Sequence, residues 1–129
     1  MFIQIKRSLA VATLALLAAC GGRTAVDESA QPAPDAPVTV AVHNNAFNDV
    51  DIYAVGPSGT VDWVGMVTGN SSATLTLRSL AYTAGPLRLL ARPIGGRGLA
   101  RTDPLLVHPG ATVDFTVQNN LRLSTAVVR

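Results

Sequence analysis

Apolar and polar residues alternate with a period of two from Val38 onward, and turn-forming residues break the alternation at short intervals. Val38, Val40 and Val42 alternate with Thr39, Ala41 and His43, the pattern of a strand with one face in a core. Asn44 and Asn45 supply turn chemistry. A second strand at 50–55 sets Val50, Ile52 and Ala54 against Asp51, Tyr53 and Val55. The turn from Gly56 to Gly59 leads to a third strand at 60–68. There Val61, Trp63 and Val67 share a face, and Gly65 marks a place for a bulge. This reading puts Trp63 in the core and points Tyr53 away from it.

Gly69, Asn70 and Ser71 make the next turn. A fourth strand at 73–78 turns Ala73, Leu75 and Leu77 inward and Thr74, Thr76 and Arg78 outward. After a looser segment at 79–86, a fifth strand at 87–94 carries Arg88 and Arg92 on one face. Pro93 puts its far end at an edge or a bulge. Beyond Gly95-Gly96-Arg97-Gly98, short strands are expected at 104–108, 112–117 and 123–128. In the second of these, Val113, Phe115 and Val117 oppose Thr112, Asp114 and Thr116. No stretch after the N-terminal region shows a helical period with caps. The expected fold is therefore all-β, a small immunoglobulin-like antiparallel β-sandwich of seven to eight strands, without the immunoglobulin cysteine pair.

The N-terminal region follows other rules. Lys6 and Arg7 precede an 11-residue apolar run from Leu9 to Ala19, and Cys20, the only cysteine, ends it. A spanning helix needs roughly 20 residues. A shorter run after cations and before small residues reads as a signal h-region with its cleavage site. Leu17, Ala18, Ala19 and Cys20 form the sequence LAAC, which resembles the lipobox of bacterial lipoproteins. The resemblance covers about the first 22 residues. It implies cleavage between Ala19 and Cys20, a diacylglycerol on the Cys20 thiol, and a new amine open to acylation. It also resolves the single cysteine, which would otherwise be a reactive thiol in an exported chain.

The domains expected are thus a signal peptide at 1–19, a lipidated N-terminus with a flexible linker at 20–36, and a sandwich at 37–129. Pro32, Pro34 and Pro37 disfavour helix in the linker. As a flexible chain it would span about 20–24 Å. Gly21 follows Cys20 where many inner-membrane lipoproteins carry aspartate. In a two-membrane bacterium the resemblance therefore implies the periplasmic face of the outer membrane. The stretches Ile52 to Gly56 and Val107 to Val117 are also similar to small exported β-sandwich lipoproteins of undefined role, a likeness that carries no functional residues.

Charge narrows the partners. The net charge of +2 comes from Lys6 and Arg7. Without the first 19 residues, eight arginines balance eight acids. Singly scattered arginines with no basic run do not suggest nucleic acid. The partners expected are the membrane, through Cys20, and an envelope protein or a glycan.

Candidate chemistry is sparse. His43 and His108 lie near strand ends, and a Gly-x-Ser-x-Gly elbow is absent. A hydrolase or carbohydrate-active site would need one of these histidines with an aspartate, and Asp103, though close to His108 in sequence, has no catalytic spacing to it. A copper site could draw on His43, His108 and Met66 but lacks its cysteine. Asn44, Asn45, Asn48, Asp49 and Asp51 are oxygen-rich, which admits a calcium-stabilised adhesin-like module, although such residues are also the default turn formers. The 95–98 loop could present Arg97 and backbone amides to an anion, but no helix follows it as phosphate loops require. The last strand, around Ser124 to Val128, could finish its own sheet or add to another chain's. The leading expectation is a non-enzymatic, lipid-anchored envelope module with no metal and no cofactor. The rivals are the hydrolase and the calcium module.

Overall fold

The structure, a computed structural model, describes residues 33–77, 82 and 85–129. The lipobox from Leu17 to Cys20, the linker up to residue 32, and Arg78 lie outside the described residues. Nine strands are present among the described residues: β1 (Val38–Asn44), β2 (Val50–Val55), β3 (Val61–Val67), β4 (Ser71–Leu77), β5 (Pro86–Pro93), β6 (Ala100–Arg101), β7 (Leu105–Leu106), β8 (Thr112–Val117) and β9 (Thr125–Val128). They build two sheets, ordered β4-β1-β8-β9 and β3-β2-β5-β6, with β7 also paired to β5. The fold is a small β-sandwich.

Period two decides what each strand buries. Val38, Val40, Val42, Val113, Phe115 and Val117 from the first sheet meet Val50, Ile52, Ala54, Leu87, Leu89 and Ala91 from the second. Each fully buried Val, Leu, Ile or Phe side chain among them contributes about 1.5–3 kcal/mol over leaving it in water. The inward residues of β2, β4, β5 and β8 are those the alternation indicates.

Three features depart from the sequence reading. First, β1 and β8 run parallel, with Val40 beside Val113 and Val42 beside Phe115, while the other pairings are antiparallel. Pairing direction is a long-range choice that local alternation does not encode. Second, the segment expected at 104–108 holds only the two-residue β7, and the short β6 lies upstream of it. Between them Thr102 stands in for strand pairing. Its Oγ1 accepts from Leu89 N–H at 3.0 Å, and its own N–H donates to Leu89 O at 3.0 Å. Pro104 has no amide to continue the ladder. Third, Leu121–Leu123 forms a 3-10 turn, so β9 starts at Thr125. β9 pairs antiparallel with β8 and so extends its own sheet.

Pro93 sits at the end of β5, as its missing donor requires. Ile94 N–H bonds Asp49 O on the β2 side, so the amide Pro93 lacks would face the other side, where β6 has already ended.

Asn44 shows how a turn former can become a core residue. It is the last residue of β1 and is fully buried. Its Nδ2 donates to the carbonyls of Asn48, Val67 and Thr68, and its Oδ1 accepts from Ala46 N–H. This one amide ties the end of the first sheet's β1 to the end of the second sheet's β3, with no buried polar side-chain atom left unpartnered among the described residues.

Candidate functional site

The outer face of the second sheet carries the most unusual surface in the described chain. Its first cause is a bulge in β3. Ile52 pairs with Gly65 but Tyr53 pairs with Trp63, so Val64 is an extra residue. Gly65 and Val64 therefore both turn toward the core, and the alternation upstream of them reverses. Trp63 and Val61 are carried to the outside. The sequence reading placed Trp63 in the core, and this is corrected: its surface is 61% exposed. The bulge also explains why glycine stands at position 65. A Cβ there would come 2.8 Å from Leu75 Cδ2 of β4 in the facing sheet.

The outward residues then fall into rows across the strands. Met66, Asp51 and Arg92 share one row, and Trp63, Tyr53, Leu90 and Arg101 share the next. Asp51 is the hub. Its Oδ1 accepts from Trp63 Nε1–H at 3.1 Å, and its Oδ2 lies 3.5 Å from Arg92 Nη2. Arg92 Nη2 also donates to the Tyr53 hydroxyl at 2.8 Å, and its guanidinium carbon lies 5.3 Å from the Tyr53 ring centroid. A guanidinium over a tyrosine ring is attracted by the ring quadrupole. Beside this array, a shallow hollow of about 250 Å³ is lined by Tyr53, Val61, Leu90, Arg92 and Leu99.

The array is a fixed, exposed platform. Its indole is held by a carboxylate, and a cation and a phenol lie next to it. Large apolar side chains at Val61, Trp63, Met66 and Leu99 are left in water. Such grouped exposure marks a contact surface more often than scattered apolar residues do. The outward direction of Tyr53, and of Arg88 with Arg92, was legible from alternation. Trp63, Val61 and the hub role of Asp51 were not, because they depend on the bulge.

The same reversal turns Asp62 toward Tyr82. The Tyr82 hydroxyl donates to Asp62 Oδ2, and Tyr82 is only 3% exposed. Burial, the hydrogen bond to Asp62 and its negative charge all push the Tyr82 phenol above the usual tyrosine range.

The remaining sequence candidates sit elsewhere. His43 lies on the outer face of the first sheet, with Nδ1 2.9 Å from Ser72 Oγ. The carboxylate nearest in register, Asp114, is bound instead to Arg129 at 2.6 Å. His108 is exposed, and its Nδ1 lies 3.1 Å from Pro109 O. Met66 is on the outer face of the second sheet, opposite the face that carries His43. The copper candidates therefore do not converge.

The oxygen-rich stretch is engaged in folding contacts. Asn44 holds the two sheets together, and Asn48 Nδ2 donates to Ile94 O. Asp49 Oδ1 accepts from Gly69 N–H, and Asp51 serves Trp63 and Arg92. The lipidation and cleavage residues, Ala19 and Cys20, lie outside the described residues.

No family model matches the sequence, and no curated protein matches it. Among solved structures, the chain is similar to the NMR structure of a protein from Eubacterium rectale. The two are 13% identical, over 76% of this chain and 93% of that one, with a TM-score of 0.45.

Proposed function

We propose that this protein is a lipid-anchored, non-enzymatic binding module of the cell envelope, and that it binds through the outer face of its second sheet. The anchor is Cys20, and the partner is an envelope protein or a glycan. The observation that carries the reading is the array of Trp63, Asp51, Arg92 and Tyr53, which holds aromatic surface in water beside hydrogen-bonding groups. An aromatic ring covers the apolar face of a ligand, and a neighbouring carboxylate and guanidinium select its polar groups.

The test is capture from solubilised envelopes and from isolated cell-wall glycan, with the wild-type chain and Trp63→Ala. We expect capture by the wild type and a loss of about tenfold or more in the variant, the size of an interface hot spot. Equal capture by both would remove the platform from the proposal. The anchor has its own test. Cys20→Ser should move the protein from the membrane to the soluble fraction, and a soluble wild type with an unmodified N-terminal thiol would refute it.

One observation favours a second reading, an envelope hydrolase. The His43–Ser72 hydrogen bond pairs a base with a hydroxyl. A broad hydrolase screen with His43→Ala and Ser72→Ala separates the two readings. Turnover that both substitutions abolish would replace the binding module with an enzyme.

A further inference from the structure

The geometry points to a second site, an oxyanion-binding groove at one end of the sandwich that takes a phosphate-type group. Two loops distant in sequence meet there. One joins β5 to β6 and carries Arg97 and Gly98. The other joins β8 to β9 and carries Asn119, Asn120 and Arg122. Together they border a groove of about 440 Å³ with Leu121 in its wall. Two arginines and two asparagines are among its lining residues, and no acidic residue is.

The cations are the informative part. Arg92 and Arg129 are each paired with an aspartate, Asp51 and Asp114. Among the described residues, no carboxylate lies within ion-pair distance of Arg88, Arg97, Arg101 or Arg122, and of these four Arg97 and Arg122 alone line this groove. Two arginines gathered on one groove without a counter-charge favour an anion between them. The planar fork of a guanidinium matches the oxygens of phosphate in two parallel hydrogen bonds.

The loop that presents Arg97 has a defined path. Its start is held by Asn48 Nδ2 donating to Ile94 O at 3.3 Å. Gly98 adopts φ +91°, a left-handed conformation that glycine supplies without strain. A Cβ there would also come 3.2 Å from Leu121 Cδ1, so the backbone runs close to the 3-10 turn. That turn is closed by Asn120 Oδ1, which accepts from Arg122 N–H at 3.3 Å. Leu99 borders both this groove and the hollow beside Tyr53, so the two sites abut.

The ligand chemistry is a phosphate carrying one or two negative charges. Its source is either a free phosphate or the phosphodiester of a lipid headgroup. The test is a titration of the ¹⁵N-labelled full-length chain at constant ionic strength, with chloride as the balancing anion. Inorganic phosphate is one arm, and monomeric dihexanoyl phosphatidylglycerol is the other. We expect saturable shifts of the Gly98 and Arg122 amides. Arg97→Ala and Arg122→Ala should each weaken binding about tenfold, the scale of one charge-assisted hydrogen bond.

Both arginines are exposed, so neither substitution threatens the core, and the remaining amides report on folding. Arg129→Ala removes an equal charge at the far end of β9, outside the groove lining, and should leave the affinity unchanged. Saturation by phosphate alone supports a free-phosphate site. Tighter binding of the phosphatidylglycerol supports a headgroup site. Absence of saturation in both arms, or equal loss with Arg129→Ala, overturns the proposal.

Discussion

The outer faces of the two sheets are built on similar strands and use them differently. On the first sheet, outward positions hold Thr39, Ala41 and His43 from β1, Ser72, Thr74 and Thr76 from β4, Thr112, Asp114 and Thr116 from β8, and Thr125 with a single exposed large apolar residue, Val127, from β9. Threonine suits a pleated, half-exposed surface through its branched β-carbon and offers a hydroxyl to water. On the second sheet, the equivalent positions hold Trp63, Tyr53, Met66, Val61, Asp51 and Arg92. Strand formation needs nothing more than the first pattern. The second leaves large apolar area in water and fixes it with specific hydrogen bonds, which folding alone does not require. The contrast separates a face that only covers the core from a face that presents a surface.

The sharpest way to break the comparison is to break what the two sheets share. Asn44→Ala removes the donor for three carbonyls and the acceptor for Ala46 N–H. We expect a loss of about 2–4 kcal/mol in urea unfolding, from buried groups left unpaired. A loss below about 0.5 kcal/mol, within the range of ordinary surface changes, would mean that the joint does not hold the sheets.

Next comes the bulge. Gly65→Val forces a branched side chain against Leu75 and should cost about 1–3 kcal/mol. Because the chain has one tryptophan, fluorescence reads its position directly. The wild type should emit at the red end of the tryptophan range and be readily quenched by acrylamide. A shielded, blue-shifted emission would return Trp63 to the core and erase the contrast between the faces.

The Asp62–Tyr82 contact, a product of the same bulge, gives a pH signature. The folded phenol holds its proton more tightly than the unfolded one, which ionises near pH ~10. Its contribution is therefore whole below pH ~10 and is lost as pH rises through the folded value. Tyr82→Phe should cost about 1–2 kcal/mol at neutral pH and flatten part of the alkaline decline. Parallel urea titrations at neutral pH and above pH ~10 measure both; an identical decline in the two proteins would remove Tyr82 from it.

The smallest effect compares the faces themselves. Asp51→Ala and Asp114→Ala each remove one exposed ion pair, and each should cost less than about 1 kcal/mol. Only Asp51→Ala should alter acrylamide quenching of Trp63, because only Asp51 holds the indole. Matching quenching in the two variants would make the platform as passive as the threonine face.

Strand positions and inward faces were legible along the chain, because a period of two and its turn residues are local signals. Val38 to Val42, Val50 to Ala54 and Val113 to Val117 bury the residues that alternation selects. The outward aim of Tyr53 was legible for the same reason. The platform was legible only in part. Asp51, Tyr53 and Arg92 share an outward face by alternation, but their joining into one array depends on the register between β2, β3 and β5.

Local sequence thus determined most of the segments that become strands and, β3 apart, which side of the longer ones is apolar. Four things belonged to the tertiary structure alone: the parallel pairing of β1 with β8, the burial of Asn44, the exposure of Trp63, and the meeting of Arg97 with Arg122 at one groove. Each is settled by contacts between residues far apart in the chain. A single extra residue in a pairing register reverses every side chain beyond it, and Gly65, although it marks a place for a bulge, does not say which residue is added or which side chains turn.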